Sequence, residues 1–497
     1  MKPEFYIEQW GQQKKTPNAE SLGFLAERIA ANFIDRYFYN DEYERQYIDL
    51  LCEMATFFDD PKLNQLAANA IFGTVVERLC DDFEELQTET YNRLISQVIA
   101  NIRCNRKGNK LHKQLSKMGL HTEEEIYQRV ENNRVKLDEK LPDSFKPQKI
   151  IVLSRVTIGA DIAVTSVICQ RATRLFPEAR LIIIGNGKLG EVMSDIPNTE
   201  VRELQYSRRG GLIEKFNAWL NLLDVIHKEV SDWNEEQYLV LDPDSRLSQL
   251  GVLPVAGAAS YRFFNSRGKP SYPARASISE LTNVWLNAIF GEEAFFYPKI
   301  WPSNLNIECA KSFINKLRAS GGHKIVCINL GVGGNSRKRL SGDFEISLVL
   351  KLLEQTQVKV LLDLGFGVEE RQQMSAIIEE VAASGIHVAS STFADLDAAD
   401  VKASLVGIEC SIGQIAALIS QSDEFIGYDS ACQHIAAAQG VRTCTVFAGS
   451  NNVRFIRRWR ACGSNLNELV FVDTLSKYRE VNTSEVVARI LGALRSA

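Results

Sequence analysis

The chain contains 497 residues, of which 45% are hydrophobic and 24% are charged. This balance excludes an intrinsically disordered or collagen-like chain, and the length predicts two to four domains because single cores rarely exceed about 250–300 residues. The formal net charge of -5 argues against a nucleic acid partner, so an anionic substrate needs a local site. We expect a cytoplasmic protein, since no apolar run is long enough to span a membrane and the first residues lack the apolar core of a signal peptide.

The first part of the chain predicts helices. Apolar residues recur every third or fourth position, as in Leu22, Leu25 and Ile29, which is typical of amphipathic helices. A helical domain of about five helices over residues 1–145 follows. This domain contains no motif that indicates a ligand, so it could bind either the acceptor or a protein partner. Two prolines in LPDSFKPQ, at 141–148, predict a linker.

The rest of the chain alternates short β-branched runs with helical segments. Strand, turn, helix, strand is the unit of a parallel sheet, so the fold class is α/β. We predict two Rossmann-like domains, at 149–305 and 306–497, that face each other across a cleft. The predicted strands are KIIVLS, RLIIIG, EVREL, YLVLD and AASYRFF in the first domain, and KIVCIN, VKVLLD, IHVAS, EFIG, VRTCTVF and LVFV in the second.

Two polar segments follow strands of the first α/β domain, where this architecture places its ligands. Arg155 and Asp161 follow KIIVLS, and Asp161 is interpreted either as a site residue or as a helix N-cap. Asp242, Asp244 and Arg246 follow YLVLD. An Asp-x-Asp pair can hold a divalent metal, but Asp and Pro are also ordinary turn residues, and we predict no metal here.

Two further segments follow strands of the second α/β domain. After KIVCIN comes a glycine-containing loop that lets backbone amides approach an anion, followed by the basic run at 337–339. A solvated basic loop is the alternative. After EFIG, Asp429 and Ser430 begin a predicted helix, and His434 shares its face with Ser430. The candidate anion-binding residues of the loop are Gly331, Gly333, Gly334, Asn335 and Ser336.

A second basic cluster, RFIRRWR, spans 454–460 and includes Arg457 and Arg458. One seven-residue patch in an acidic chain argues against stacking with nucleic acid bases. The cluster is interpreted as the rim of a site for an anionic glycan acceptor, or as a solvated helix face.

These segments together resemble the bacterial ADP-heptose:lipopolysaccharide heptosyltransferases, which form glycosyltransferase family 9. Those enzymes pair R-x-x-x-G-D-x-x-x-T with D-S/T-G-x-x-H-x-A-A-A, and the similar stretches here are 155–165, with Ala160 as one extra residue, and 429–438. SRKRLSGDF is similar to the family's T-K-R-W-P-x-x-x-F. This likeness places Lys338 on the family's phosphate-binding lysine. The chain departs from the family at Leu340-Ser341, where the family has Trp-Pro, and at Ala431, where it has Gly.

The resemblance implies a GT-B fold over residues 149–497 and a part in lipopolysaccharide biosynthesis. It implies inverting glycosyl transfer from a nucleotide-diphosphate sugar without metal or other cofactor. Asp161 would be the general base, while Lys338, Ser430 and the following helix would meet the diphosphate charge.

The expected partners are a nucleotide sugar and a glycan, glycolipid or protein acceptor. A glycolipid acceptor is consistent with peripheral association at the inner membrane surface, and no nucleic acid partner is expected. Two alternatives are a nucleotide-sugar epimerase of the same shape and a non-catalytic glycan- or nucleotide-binding protein. The residues predicted to bind the acceptor are Arg155, Asp242, Arg246, Arg457 and Arg458.

Overall fold

A computed structural model of the chain describes residues 1–135, 139–193, 195–207, 210–267, 272–476 and 480–495. It shows a helical region followed by two parallel sheets, which confirms the predicted α/β fold with an all-α N-terminal domain. None of the helices in these ranges is long and apolar enough to cross a membrane. The first helices are α1 (Pro3–Gln13), α2 (Ala19–Asn40), α3 (Arg45–Phe57), α4 (Pro61–Asn69), α5 (Glu77–Asp81), α6 (Glu85–Cys104), α7 (Asn109–Lys117) and α8 (Glu123–Val135).

The helical domain is divided more finely than the predicted five helices. Pro61 opens α4, where its missing N–H costs nothing, and Asp60 caps that helix by accepting from the Lys62 N–H at 2.9 Å. A π-helical segment, Ala70–Val76, joins α4 to α5, so one continuous rod runs from Pro61 to Asp81. Hydrophobic periodicity alone does not mark these interruptions, because the apolar stripe continues through them.

The first sheet has the strand order β3-β2-β1-β4-β5 and is parallel throughout. Its five strands coincide with the five runs predicted from sequence. The elements are β1 (Lys149–Leu153), α9 (Ile158–Ala160), α10 (Ser166–Leu175), β2 (Arg180–Gly185), α11 (Gly190–Met193), β3 (Thr199–Glu203), α12 (Leu212–Val230), β4 (Tyr238–Asp242), β5 (Tyr261–Phe263) and α13 (Ile278–Phe290).

The second sheet is also parallel, with the order β12-β11-β10-β6-β7-β9-β8. Its elements are α14 (Asn304–Ala319), β6 (Lys324–Asn329), α15 (Gly342–Leu353), β7 (Val358–Asp363), α16 (Val368–Ala383), β8 (Val388–Thr392), β9 (Leu405–Glu409), α17 (Ile412–Gln421), β10 (Glu424–Tyr428), α18 (Ala431–Ala438), β11 (Arg442–Phe447), α19 (Val453–Trp459), β12 (Asn467–Phe471) and α20 (Thr483–Arg495). Sequence analysis did not predict β9, which lies between β7 and β8.

The strand order of each sheet indicates where a ligand is expected to bind. In each sheet the chain runs outward from a central strand and later returns to that strand's other side, which creates a crevice between β1 and β4 and another between β6 and β10. Open parallel sheets bind ligands in such crevices, at the carboxyl ends of the strands. The four segments singled out from sequence follow β1, β4, β6 and β10.

The helical domain shares its core with the first α/β domain. One hydrophobic cluster contains Phe33 and Leu51 of the helical domain, Trp219 of α12, and Ile151 and Val240 of the sheet. The indole N–H of Trp219 donates to the carbonyl of Pro254 at 2.8 Å inside this core. The helical domain is therefore fixed against the cleft-bearing domain through α12.

Candidate functional site

The crevice of the second sheet places four polar groups together. Asn329 ends β6, and its Oδ1 accepts from the Ser430 hydroxyl at 3.4 Å, across the gap to the loop after β10. The amide of Asn329 also donates to Asp363, at the end of β7, at 2.6 Å. Burial raises the pKa of Asp363 to about 6, against the hydrogen bonds from Gly365 and Asn329. Hydrogen bonds therefore connect the polar side chains at the carboxyl ends of β6, β7 and β10.

Lys338 reaches this crevice from the glycine-containing loop. Its Nζ lies 2.5 Å from Oδ2 of Asp429 and 3.2 Å from the Asp429 carbonyl oxygen. The other carboxylate oxygen of Asp429 accepts from the Gln433 amide at 2.7 Å. Lys338 is 23% exposed and Asp429 8%, so the pair is shielded from solvent but still reachable. A cation held by Asp429 therefore lies beside the first turn of α18.

The glycine loop and the loop after β11 support each other. Gly333 and Gly334 have φ values of +61° and +80°, a conformation that glycine adopts without strain. Asn335 accepts from the Arg337 N–H at 3.2 Å, which closes the short turn containing Ser336. At Gly449 a Cβ would lie 2.4 Å from the Arg337 carbonyl oxygen, so only glycine lets the two loops pack. Gly331 lies between β6 and this turn, beside Glu370.

The basic run at 337–339 separates into three environments. Arg337 is exposed, and Lys338 faces the crevice. Arg339 turns inward, where its Nε donates to the fully buried Glu345 at 2.6 Å and its second guanidinium nitrogen contacts the same carboxylate. Tyr428 also donates to Glu345, at 3.0 Å. One of the three basic side chains is therefore available to an anion in the crevice, and one is structural.

Asp161 does not face the cleft in this structure. Its carboxylate is 1% exposed and accepts three hydrogen bonds of 2.7 Å each, from the Ser154 hydroxyl, the Arg155 N–H and the Thr165 hydroxyl. Burial raises its pKa to about 6, while these hydrogen bonds oppose the rise. The extra residue Ala160 is accommodated by a π-helical turn at Asp161–Thr165, since a π turn takes one more residue than an α turn.

Asp242 has an internal role that differs from the predicted acceptor contact. It is 0% exposed, and it accepts from the Ser245 N–H at 2.8 Å and from the Tyr261 hydroxyl at 2.9 Å. Asp244, 1% exposed, accepts from Ser266 at 2.7 Å and from Arg267 at 3.1 Å. The two carboxylates therefore organise the turn after β4. Among the described residues, no group of three or more His, Cys, Asp or Glu side chains could bind a metal ion.

Two arginines of the first α/β domain follow the strands that border its crevice, Arg155 after β1 and Arg246 after β4. Arg155 donates to the Pro243 carbonyl at 2.8 Å and to Ser266 at 3.1 Å, and its guanidinium lies 5.7 Å from the ring of Trp459. Arg246 is half-buried, and within the described residues its guanidinium donates no hydrogen bond to protein. The predicted contact of Arg246 with the acceptor therefore stays a prediction.

The cluster at 454–460 joins domains, which corrects the prediction that Arg458 binds the acceptor. Arg458 is 6% exposed and donates to the carbonyls of Pro273 and Ala276, at 3.0 and 2.5 Å, in the first α/β domain. Arg460 pairs with Glu280 at 3.1 Å. Arg457 stays half-exposed, so its predicted acceptor contact remains a prediction.

His434 lies where the two α/β domains touch. It is 4% exposed, and burial lowers its pKa to about 4, so the imidazole is neutral at physiological pH. Its ring centroid is 6.2 Å from that of Trp459. A Cβ at Gly159 would lie 3.2 Å from His434 and 3.1 Å from the Cα of Ala431. The absence of a side chain at Gly159 therefore allows α9 to approach the start of α18, and His434 packs at this contact between the two domains.

Part of the C-terminal domain matches a family model. Residues 349–483 match the family model described as glycosyltransferase family 9 (heptosyltransferase), and this range includes Asp429, Ser430 and His434. Curated protein sequences contain no significant match to the chain.

Solved structures include similar chains. The glycosyl transferase family 9 structure from Veillonella parvula DSM 2008 is 13% identical with a TM-score of 0.49, over 71% of this chain and 99% of that one. E. coli ADP-heptose lps heptosyltransferase II is 12% identical with a TM-score of 0.46, over 70% of this chain and 98% of that one. The match over residues 349–483 agrees with the resemblance seen in the motifs: this part of the chain is similar to the heptosyltransferases of glycosyltransferase family 9.

Proposed function

We propose that the chain transfers heptose from ADP-heptose to a glycan, glycolipid or protein acceptor, with inversion at the anomeric carbon and without a metal ion. The observation that carries this proposal is the position of Lys338 beside Asp429 and Ser430, at the crevice between β6 and β10. A cation and a helix N-terminus at one crevice are suited to binding a diphosphate. Ser430 also lies within residues 349–483, which match the heptosyltransferase family model.

The leaving group determines what these residues do. As the bond from the anomeric carbon to the diphosphate breaks, negative charge grows on the diphosphate oxygens. Lys338 would exchange its contact with Asp429 for one with the diphosphate, while Ser430 and the first amides of α18 donate hydrogen bonds. Donors that are in place before the reaction lower the barrier because they need little reorganisation. We propose that this set of donors meets the charge without a metal.

The position of Asp161 changes its proposed role. To take a proton from an acceptor hydroxyl, a base must come within about 2.6–3.2 Å of it, and the Asp161 oxygens already hold three internal donors. We propose that Asp161 orients the Ser154–Arg155 turn and thereby directs the Arg155 side chain into the cleft. Asp161→Asn should then lower turnover through misplacement of Arg155 and raise the acceptor KM, whereas loss of a base would lower kcat at unchanged KM.

The acceptor would approach between the helical domain and the two α/β domains. Arg155, Arg246 and Arg457 supply positive charge there, which suits a phosphorylated glycan or glycolipid. With a glycolipid acceptor the protein would work at the inner membrane surface. With a protein acceptor the helical domain would supply the contact surface.

A donor screen followed by product analysis tests the proposal. ADP-heptose should raise the melting temperature more than GDP- or UDP-sugars, because binding to the native state alone stabilises it. With an acceptor panel, NMR of the product should show inverted anomeric configuration, and EDTA should leave the rate unchanged. A sugar isomerised without acceptor would instead establish the epimerase, and binding without transfer or hydrolysis would establish a binding protein.

A further inference from the structure

Helix α19 carries two aromatic side chains, Phe455 and Trp459, which we call the aromatic face. They are four positions apart, so they lie on one side of the helix with their Cβ atoms about 5–6 Å from each other. The Lys338 ammonium is 5.8 Å from the ring centroid of Phe455, and the Arg155 guanidinium is 5.7 Å from the ring centroid of Trp459. The aromatic face therefore begins at the proposed diphosphate site and ends at the crevice of the first sheet.

The aromatic face is partly accessible. Both rings pack against a hydrophobic cluster that contains residues of both α/β domains, and both remain half-buried. The ring centroid of Phe83 lies 6.4 Å from that of Trp459, and the two ring planes are inclined by 68°. The His434 ring lies 6.2 Å away at an angle of 71°. These edge-on contacts orient the indole, while part of its surface stays open.

Polar contacts on other sides of α19 hold the helix in place. Arg458 donates to two backbone carbonyls of the first α/β domain, and Arg454 pairs with Glu84 of the helical domain. The amide of Gln433, on α18 of the donor domain, donates to the carbonyl oxygen of Trp459 at 3.4 Å. Contacts with all three domains therefore fix the aromatic face before a ligand binds, so that binding costs little ordering of these rings.

The chemistry of the aromatic face and of the two cations at its ends suits a sugar. A sugar ring combines apolar C–H faces with a rim of hydroxyl groups, so it can stack on aromatic rings and also hydrogen-bond to charged groups. In a nucleotide sugar the sugar is bonded directly to the diphosphate, so a diphosphate at Lys338 places the sugar next to Phe455. Trp459 continues the face toward Arg155 of the first α/β domain, the direction from which the acceptor would approach. The sugar, rather than the nucleoside, would therefore lie along this face.

We propose that Phe455 and Trp459 form the binding surface for the transferred sugar and orient its anomeric carbon between Lys338 and Arg155; this rests on the proposed glycosyl transfer. A sugar held against a fixed surface presents its reacting carbon to the acceptor in one orientation, which lowers the entropic part of the barrier. Stacking requires an unobstructed C–H face. The two rings would therefore select among sugars by the orientation of their hydroxyl groups.

Comparing each nucleotide sugar with its own nucleoside diphosphate isolates the contribution of the sugar to binding. Calorimetry would measure the Kd values of ADP-heptose and ADP, of GDP-mannose and GDP, and of UDP-glucose and UDP. We expect the wild type to bind ADP-heptose more tightly than ADP. Trp459→Leu and Phe455→Leu should each weaken ADP-heptose binding by about 3–10-fold, the value of one aromatic contact, and leave ADP binding unchanged. Phe295→Leu, the matched control, removes a 51% exposed ring of the first α/β domain and should alter neither Kd.

The same comparison separates binding of the sugar from support of the fold. Trp459→Phe keeps an aromatic ring and should retain more of the preference for the nucleotide sugar than Trp459→Leu; if Trp459→Leu does not fold, Trp459→Phe and Phe455→Leu supply the test. Equal weakening of ADP and ADP-heptose would overturn the proposal, and so would unchanged Kd values for both. A wild type that prefers none of the three nucleotide sugars over its diphosphate would overturn it too. If the variants lose the preference but the wild type transfers sugar to no acceptor, only the proposed transfer is refuted.

Discussion

Replacing Lys338 by methionine removes the cation of the proposed donor site and keeps most of the side-chain volume. Lys338 Nζ lies 2.5 Å from Asp429, and its side chain is 23% exposed. The ammonium group therefore works in a partly shielded crevice, where a charge is worth more than in bulk water. We expect Lys338→Met to lose about 3 kcal/mol of transition-state stabilisation, comparable to the loss of one preorganised donor elsewhere.

That loss corresponds to a decrease of about 10²–10³-fold in kcat, measured with ADP-heptose at saturating acceptor. Arg337→Met is the matched control, because it removes one positive charge from the adjacent, exposed position. The control should stay within about threefold of wild type. If both variants lose activity equally, net charge and not position determines the effect. If Lys338→Met keeps full activity, the diphosphate is bound elsewhere.

Three further predictions concern the elements that support the site. Arg339→Met should destabilise the protein by about 3–5 kcal/mol in urea unfolding, since it leaves the fully buried Glu345 unpaired, and adding Glu345→Met should recover much of that loss. Because burial raises the pKa of native Asp161 to about 6, above its value of about 3.9 when unfolded, stability should fall as pH rises from about 4 to 6; Asp161→Asn should flatten this slope in pH-dependent melting. Arg454→Glu should lower the melting temperature, because it places two like charges where Arg454 pairs with Glu84, and adding Glu84→Arg should restore it; an unchanged melting temperature in the single variant would show that this pair does not stabilise the contact of α19 with the helical domain.

Most of the strands could be predicted because buried strands have a recognisable local composition, a short run of aliphatic residues. Runs such as KIIVLS and VKVLLD are buried on both faces and carry Ile, Val or Leu at four of their six positions. The strand β9 escaped prediction. Its apolar residues Leu405, Val406 and Ile408 form a short run after a charged segment, and they are buried because β7 and β8 flank them. Their burial depends on strand order, which local pattern does not encode.

The residues of the proposed donor site could be selected from the sequence, since they follow strands directly. Asp429 and Ser430 are the first two residues after β10, and Lys338 belongs to the loop after β6. The acceptor half was predicted less well. Asp242 lies at the end of a strand and Arg458 lies on a basic helix, and both positions are typical of binding residues when only the sequence is considered. In the structure both side chains are buried and make internal hydrogen bonds. A side chain's direction is set by packing partners that lie far away along the chain.

The sequence by itself determined the family 9 resemblance, the parallel sheets and the donor crevice, because each depends on neighbouring residues and on the rule that carboxyl ends of parallel strands share one edge. Tertiary structure decided which charges remain free. Arg339 is neutralised by Glu345, Asp161 is held by its own turn, and Lys338 is left beside Asp429. Tertiary structure also joined the helical domain to the start of α19, through contacts that span about 370 residues of chain. Such long-range contacts leave no periodic or local signal in the sequence.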